Sequence, residues 1–336
     1  MNYPELDVLV LTYNRANYLR IALEAIFNSI ASWRKTIIIN NASTDNTLAV
    51  IDEMRSIYPN RIIEVVNNSK NLGNTGNFFR SQEIADNRYV AIFHDDDAIH
   101  PEYIDRAMKI MRNDKDLVMI SGGEVAMYTV SANDWYPLPN SYLEYPANNN
   151  AFLSLMLRRS TFCNAIYRTD IYVKAEYKPE KYGKLHDICF LQDIGALGKV
   201  ALMDGGCVRW RQHASSDSNS LKTGPFPDEI LNIICHVNNI FDKENIIKSA
   251  RGGVKNILYK AGLFNFSYFL YQWSDLKRYM TWNTFKTELH KRNVFSNMEY
   301  LMFDKLIDII LNPAIRHYAQ KGYVKYLKNY DYRVGE

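Results

Sequence analysis

Apolar residues dominate "LDVLVLTY" (Leu6 to Tyr13), a leucine-rich, β-branched block of the kind buried on both faces of a parallel sheet. After the polar "NRANY" the period changes, and Leu19, Leu23, Ile26, Phe27 and Ile30 recur at helical spacing. "TIIIN" (Thr36 to Asn40) is a second buried strand, ended by "NASTD", and a helix through Leu48, Ile51, Met54 and Ile57 stops before Pro59. "RIIEVVNN" (Arg61 to Asn68) reads as a third strand, and a helix through Phe78, Phe79 and Ile84 leads to a fourth, "YVAIF", from Tyr89. Strand and helix alternate four times, which predicts an α/β fold: a mostly parallel sheet flanked by helices on both faces. Such sheets take their ligands at the carboxyl ends of the strands.

Beyond Pro101 a helix is expected to Arg112, then a strand at "LVMISGG" (Leu117 to Gly123). Ser131 to Asn150 is rich in Asn, Pro and Tyr and reads as a long surface loop. A helix from Phe152 to Arg159, strand character in "STFCNAIYR", a loop entering a helix in "EKYGKLHDICFLQDIGALG" and strands in "KVALMDGGCVRWRQH" follow. Gly224, Pro225 and Pro227 mark a boundary. The expected organisation is one region over 1–223, divided into halves at 1–100 and 101–223, and a helical, Tyr-rich region over 224–336.

Composition adds bounds. The chain has 336 residues, 47% hydrophobic and 13% aromatic, enough for one large core or two smaller ones. Cys163, Cys189, Cys207 and Cys235 show no CxxC spacing, as expected of buried thiols in a reducing compartment. No basic segment precedes the first apolar run, so no signal peptide is expected. The longest uncharged apolar-aromatic run, Ala261 to Ser274, is shorter than the roughly 20 residues of a membrane-spanning helix. The expected location is the cytoplasm. Charge is unevenly shared: from residue 241 onward there are 16 Lys and Arg against 9 Asp and Glu, leaving 24 against 28 for the first 240. A basic, aromatic tail on a mildly acidic body implies two regions with different partners.

The chemistry concentrates at the strand ends. "TYNR", "NNASTDNT", "NNSKNLGNTGNFFR" and "HDDD" follow the four strands in turn, so four polar clusters converge on one edge of one sheet. Asp95, Asp96 and Asp97 suit a divalent cation, because Mg2+ and Mn2+ take hard carboxylate oxygens and their charge relieves the repulsion between neighbouring carboxylates. The plainer alternative is a solvated acidic turn or the cap of the helix that follows. No phosphate-binding glycine loop is present, neither GxxxxGK[ST] nor GxGxxG. A nucleotide here would be held by a metal and side chains.

"VLVLTYNRANYLRIALEAI", "IIINNASTDNT", "NLGNTGNFFR" and "YVAIFHDDD" together resemble the nucleotide-binding half of family-2 glycosyltransferases with the GT-A fold. The resemblance covers Leu6 to Asp97 and, more loosely, Ser160 to Ser216. The Asn-Phe-x-Arg ahead of three aspartates is similar to a bacterial branch that builds surface polysaccharides such as O-antigen or capsule. On that resemblance 1–223 is a GT-A catalytic domain, with a nucleotide-binding half and an acceptor half. Thr12, Tyr13, Asn14 and Arg15 would line the base and ribose pocket, and Asn40 and Asp45 would read the nucleobase edge. Asn77 and Arg80 would join the donor site, Arg80 approaching the diphosphate or base. Asp95 and Asp96 would contact ribose and sugar, and Asp97, last of an Asp-x-Asp motif, would bind the Mn2+ or Mg2+ that bridges the phosphates. The family usually has Asp where Asn40 stands; an amide can accept there but also donate, which loosens the assignment of uracil.

The resemblance also implies a general base at the start of a helix after the acceptor region. Asp187 in "KLHDICFLQD" occupies that place, preceded by His186; an ordinary helix cap is its alternative role, and Asp193 is a weaker candidate. In "RWRQHASSDSN", His213 would complete the metal shell or touch the diphosphate, and Arg209 and Arg211 would stabilise the departing nucleoside diphosphate. The expected reaction is inverting transfer of a sugar from a nucleoside-diphosphate donor, UDP-linked for preference, to a glycan acceptor. Lys and Arg interleaved with Tyr, Trp and Phe between Val254 and Tyr300 suit a peripheral contact with the inner face of the cell membrane. An acceptor on a polyprenyl diphosphate would need such docking; a helical bundle with aromatic core is the alternative. Nucleic acid is not an expected partner. A sugar-phosphate nucleotidyltransferase would show a glycine-rich loop where this chain has "TYNRANY", and a non-catalytic carbohydrate- or nucleotide-binding protein would not need the acidic set.

Overall fold

The computed structural model describes residues 1–127, 135–145, 147, 163–175, 186–213, 228, 231–232, 281–292 and 332–334. The chain divides into two units. The first is Met1–Tyr177 with Asp193–Ser216 and Tyr332–Glu336; the second is Lys178–Gln192 with Asp217–Asp331.

In the first unit the four expected strands form as β1 (Asn2–Thr12), β2 (Ser32–Asn40), β3 (Ile63–Asn67) and β4 (Tyr89–His94), all parallel to their neighbours in the order β4-β1-β2-β3. Helices α1 (Ala16–Phe27), α2 (Thr47–Ile57) and α3 (Gly73–Ile84) alternate with them as the periodicity predicts. Side chains alternate across a strand. Val8, Val10, Ile38, Ala91 and Phe93 join one core with Leu19, Leu23 and Ile26 of α1 and Val50, Ile51 and Met54 of α2. Their neighbours Leu9, Leu11, Ile37, Ile39, Val90 and Ile92 are equally buried, so the opposite face is covered as well. Burying each such side chain contributes roughly 1.5–3 kcal/mol. That double burial is why the strands are written as continuous apolar runs.

The turn that leaves α1 is tied down by Arg61, whose guanidinium donates to the oxygens of Phe27, Ser29 and Ala31 at 2.8–2.9 Å and stacks on Trp33 at 4.3 Å. One leftover carbonyl of the helix end and two of the connection to β2 are thereby satisfied by one planar cation.

The sheet continues with β5 (Ala98–Ile99), β6 (Leu117–Met127), β7 (Tyr142–Tyr145), β8 (Ala165–Arg168), β9 (Lys199–Arg211) and β10 (Tyr332–Val334). Its order is β10-β7-β9-β6-β8-β4-β1-β2-β3, with β5 paired to β9. β8 runs antiparallel between β4 and β6, so the sheet as a whole is mixed, parallel around β1 and antiparallel at its other end. Helix α4 (Tyr103–Asn113) buries Tyr103, Ile104, Ala107, Met108 and Met111; α5 (Thr169–Tyr172) and α6 (His186–Leu197) follow.

Three expectations change. The segment read as one long loop contains β7, whose "YLEY" pairs with Val200–Met203 of β9. The segment read as several strands, Lys199 to Arg211, is one long strand. In it Gly205 takes φ +86°, and the pairing with β6 shifts register at Gly122/Glu124, so the strand bends without ending. Tyr332–Val334, in a stretch read as helical, adds an edge strand against β7. The expected helix at Phe152 to Arg159 and the boundary at 223/224 lie outside the described residues, as does most of the basic aromatic run.

In the second unit, α7 (Trp282–Lys291) follows Thr281, whose Oγ1 accepts from Thr284 N at 3.2 Å. Among the described residues no helix is long and apolar enough to cross a membrane.

Candidate active site

Parallel register puts the strand ends level: Thr12 lies beside Asn40, Asn40 beside Asn67, and Leu11 beside His94. The loops that leave β1, β2, β3 and β4 are therefore forced together, and they are knitted by side-chain amides. Asn14, at φ +50°, accepts from Thr44 N at 2.7 Å through its side-chain oxygen and donates its backbone N–H to Ser43 Oγ at 2.9 Å. Asn40 donates Nδ2 to Asn67 Oδ1 at 2.9 Å and accepts from Ser43 N at 3.1 Å. Here is a reason for an amide at position 40: the facing Asn67 oxygen needs a donor, which a carboxylate lacks. Asn68 donates to both Asn41 and Asn77 at 3.0 Å, and Asn77 reaches back to Ile39 O at 3.3 Å. Asp45 accepts from Ala16 N at 3.0 Å and Thr47 N at 3.1 Å, capping α1 and α2 at once. Those bonds hold its carboxyl below the usual range against the opposing effect of burial.

The three aspartates after β4 are almost wholly buried, at 2%, 9% and 4% exposure. Asp95 accepts from Tyr13 N at 3.3 Å and from Arg15 Nη1 at 3.1 Å, with Thr12 beside it. Asp96 accepts from the same Arg15 nitrogen at 2.9 Å, and His213 Nε2 lies 2.9 Å from the same Asp96 oxygen. Asp97 accepts from the backbone amide of Arg211 at 3.0 Å and from Asn164 Nδ2 at 2.7 Å. Arg211 Nε donates to Asp96 O at 2.8 Å, and its guanidinium lies 5.2 Å from the Tyr18 ring centroid. His213 packs on that ring at 4.6 Å.

The charges divide unequally. Burial, then the neighbouring Asp96, pushes the Asp95 carboxyl up to about 6. Burial would raise Asp96 too, but His94, Arg15 and His213 outweigh it and hold that carboxyl low. Asp97 is raised, by burial first, with Asp96 adding to the effect. Within the cluster the charge of Asp96 is thus the best compensated, while burial and Asp96 itself oppose charge on Asp95 and Asp97.

The structure gathers Thr12, Tyr13, Arg15, Asp95, Asp96, Asp97, Arg211 and His213 into one cluster, and Asn14, Asn40, Asp45 and Asn77 into the adjoining amide network. His213 meets Asp96 rather than Asp97. Arg80 pairs with Glu83 at 2.6 Å on the exposed side of α3. Arg209 lies over Trp135 at 4.4 Å. Asp187 stands in the first turn of α6 and is counted with the second unit. Sequence reasoning missed Tyr18 and Asn164; the second carried one signal, an Asn placed directly ahead of the apolar "AIYR".

Hard carboxylate oxygens beside an imidazole nitrogen are a donor set that suits Mn2+ or Mg2+. Among the described residues no three His, Cys, Asp or Glu side chains enclose such an ion by themselves.

Residues 7–173 match the sequence profile of Glycosyl transferase family 2. This segment is a family 2 glycosyl transferase domain. It begins at β1 and ends just beyond α5, so it contains the aspartates and Asn164 and excludes Asp187, Arg211 and His213. A glycosyltransferase of Haemophilus influenzae is 25% identical over 65% of this chain and 68% of its own length. The abequosyltransferase RfbV of Salmonella typhimurium is 30% identical over 49% of this chain and 51% of its own. Among solved structures, S. aureus TarS 1-349 in complex with UDP superposes with a TM-score of 0.59 at 14% identity, covering 97% of this chain and 88% of that one. The fold of the family 2 domain is thus that of GT-A glycosyltransferases, and the domain's chemistry is glycosyl transfer.

Proposed function

We propose that this glycosyltransferase moves a sugar from a UDP-sugar to a glycan acceptor with inversion at the anomeric carbon, using Mn2+ or Mg2+. The observation that carries the reading is the buried Asp95–Asp97 cluster, level with the ends of four parallel strands and already facing the Arg15 guanidinium and the His213 imidazole. TarS, a neighbour in fold, was crystallised with UDP and with UDP-GlcNAc, which supports a uridine donor.

Asp97 and its neighbour Asp96, with His213 on Asp96, would hold the cation. When bound, that ion supplies charge neutralisation for the leaving diphosphate. Tyr13, Asn14 and Asn40 line the loops that would receive the base and ribose. Arg211 supports the leaving group electrostatically. The acceptor hydroxyl attacks the anomeric carbon, its proton passes to the Asp187 carboxylate, and the bond to the diphosphate breaks with both electrons leaving on oxygen. In this reading the acceptor is a lipid-linked oligosaccharide of bacterial surface-polysaccharide assembly, supported by the likeness to an abequosyltransferase and by the Asn-Phe-x-Arg sequence. The basic aromatic run after Val254 is then the membrane-facing part, on the strength of its sequence pattern.

A thermal-shift screen of UDP-, GDP- and dTDP-sugars, each with and without Mn2+, tests this. A UDP-sugar should raise the melting temperature more with Mn2+ than without, since binding at a hundredfold over Kd adds about 2.7 kcal/mol. A chain whose melt no nucleotide sugar moves, with or without Mn2+, would sink the proposal.

A further inference from the structure

Asn164 stands at the entry to β8 and reaches three other elements. Its amide donates to Ile92 O of β4 at 2.6 Å, and its carbonyl accepts from the Tyr103 hydroxyl of α4 at 2.7 Å. Its Nδ2 donates to Asp97 Oδ2 at 2.7 Å. The backbone sits at φ +61°, a left-handed conformation that Asn tolerates better than other side-chain-bearing residues. The amide is not free to turn over: an ionised carboxylate only accepts, so the atom facing Asp97 has to be the nitrogen. That choice leaves Oδ1 buried with no hydrogen-bond partner.

A left-handed backbone and an unsatisfied buried oxygen both oppose folding. A position selected for packing would have shed them. What they secure is the orientation of one carboxylate, with Arg211 N on Asp97 Oδ1 and Asn164 Nδ2 on Oδ2. We infer that Asn164 is a positioning residue for Asp97, aiming it at the cation and diphosphate of the donor complex, and that Tyr103 in turn holds Asn164 in place. The inference rests on the reading of Asp97 in the proposed function. It goes further by naming what makes that carboxylate competent, a residue from the antiparallel part of the sheet and outside every donor motif.

Asn164→Gly isolates the effect, because glycine accepts the left-handed backbone and only the amide is lost. Mn2+ affinity of the full chain, read by electron paramagnetic resonance at saturating UDP, should fall roughly 10- to 100-fold, as when an outer partner of a metal ligand is removed. Affinity for UDP without metal, read by calorimetry, should stay within about twofold, since the amide acts on the metal-binding carboxylate. Tyr103→Phe keeps the ring in the core and should give a smaller loss of the same kind. Unchanged Mn2+ affinity in both variants overturns the inference. An equal loss with and without metal also overturns it, for that is what a merely structural role gives. Should Asn164→Gly fail to fold, Tyr103→Phe decides alone. Failure of the underlying reading looks different: the wild-type chain with UDP takes up no Mn2+, or Asp97→Ala takes it up as well as wild type, and either result removes the inference too.

Discussion

Replacing Asp95 by Asn tests whether the empty cluster holds its charges at a cost. In the folded chain this carboxyl is pushed up from 3.8 to about 6, first by burial and then by Asp96. A rise of about two pH units at 1.36 kcal/mol each amounts to about 3 kcal/mol. The folded state binds the proton more tightly than the unfolded one, so stability from this group is fully present below about pH 4. It falls as pH rises between about 4 and 6, and the whole penalty stands above that. Asn keeps an oxygen for Tyr13 N and removes the charge, while Arg15 retains Asp96. Ligand-free Asp95→Asn should therefore be more stable than wild type at pH 8, by up to about 3 kcal/mol, and equal to it near pH 4. Urea unfolding at half-unit steps from pH 4 to 8 measures both. A variant no more stable than wild type at pH 8, with the same slope between 4 and 6, would refute the reasoning. Donor binding should suffer in the same variant, so stability and function move in opposite directions.

Arg15→Gln removes the cation that Asp95 and Asp96 share, and breaking a largely buried pair from one side should lower stability by about 3 kcal/mol at pH 8 and by less at pH 4. Unfolding of the ligand-free protein checks it; a loss independent of pH would mean the arginine matters for packing alone. Asp187→Asn should cut transfer at least about 100-fold while leaving the affinity for the metal–nucleotide donor unchanged, the pattern of a lost general base. Turnover assays and calorimetry separate the two, and near wild-type transfer would reassign Asp187 to capping α6.

The parallel half of the sheet was legible because double burial writes itself as unbroken apolar runs at β1, β2 and β4. β7 and β10 were not, since strands of four and three residues are too short to show a period. The segment of β9 was read as more than one strand, where the backbone instead bends at Gly205 and pairs on with β6 on either side. In the site, Asp95 to Asp97 could be found because they are neighbours in the chain and follow a buried strand. That Arg15 would serve as their counter-ion, or that His213 would meet Asp96, depends on distances across the sheet. Asn164 was hidden for the same reason: only the insertion of β8 beside β4 brings it to Asp97.

That insertion has a consequence during synthesis. The ribosome delivers β4 well before β8, and in the interval β6 and β7 also emerge. Until residues 165–168 are free, one side of β4 is an apolar strand with open hydrogen-bonding groups, the kind of template on which nascent chains join one another. The same delay governs the carboxylates. Asp97 gains Asn164 only when β8 docks, and Asp96 gains His213 only after β9 has been made. A nascent chain therefore displays its aspartates before it can use them, and competence arrives with the later strands that flank the motif.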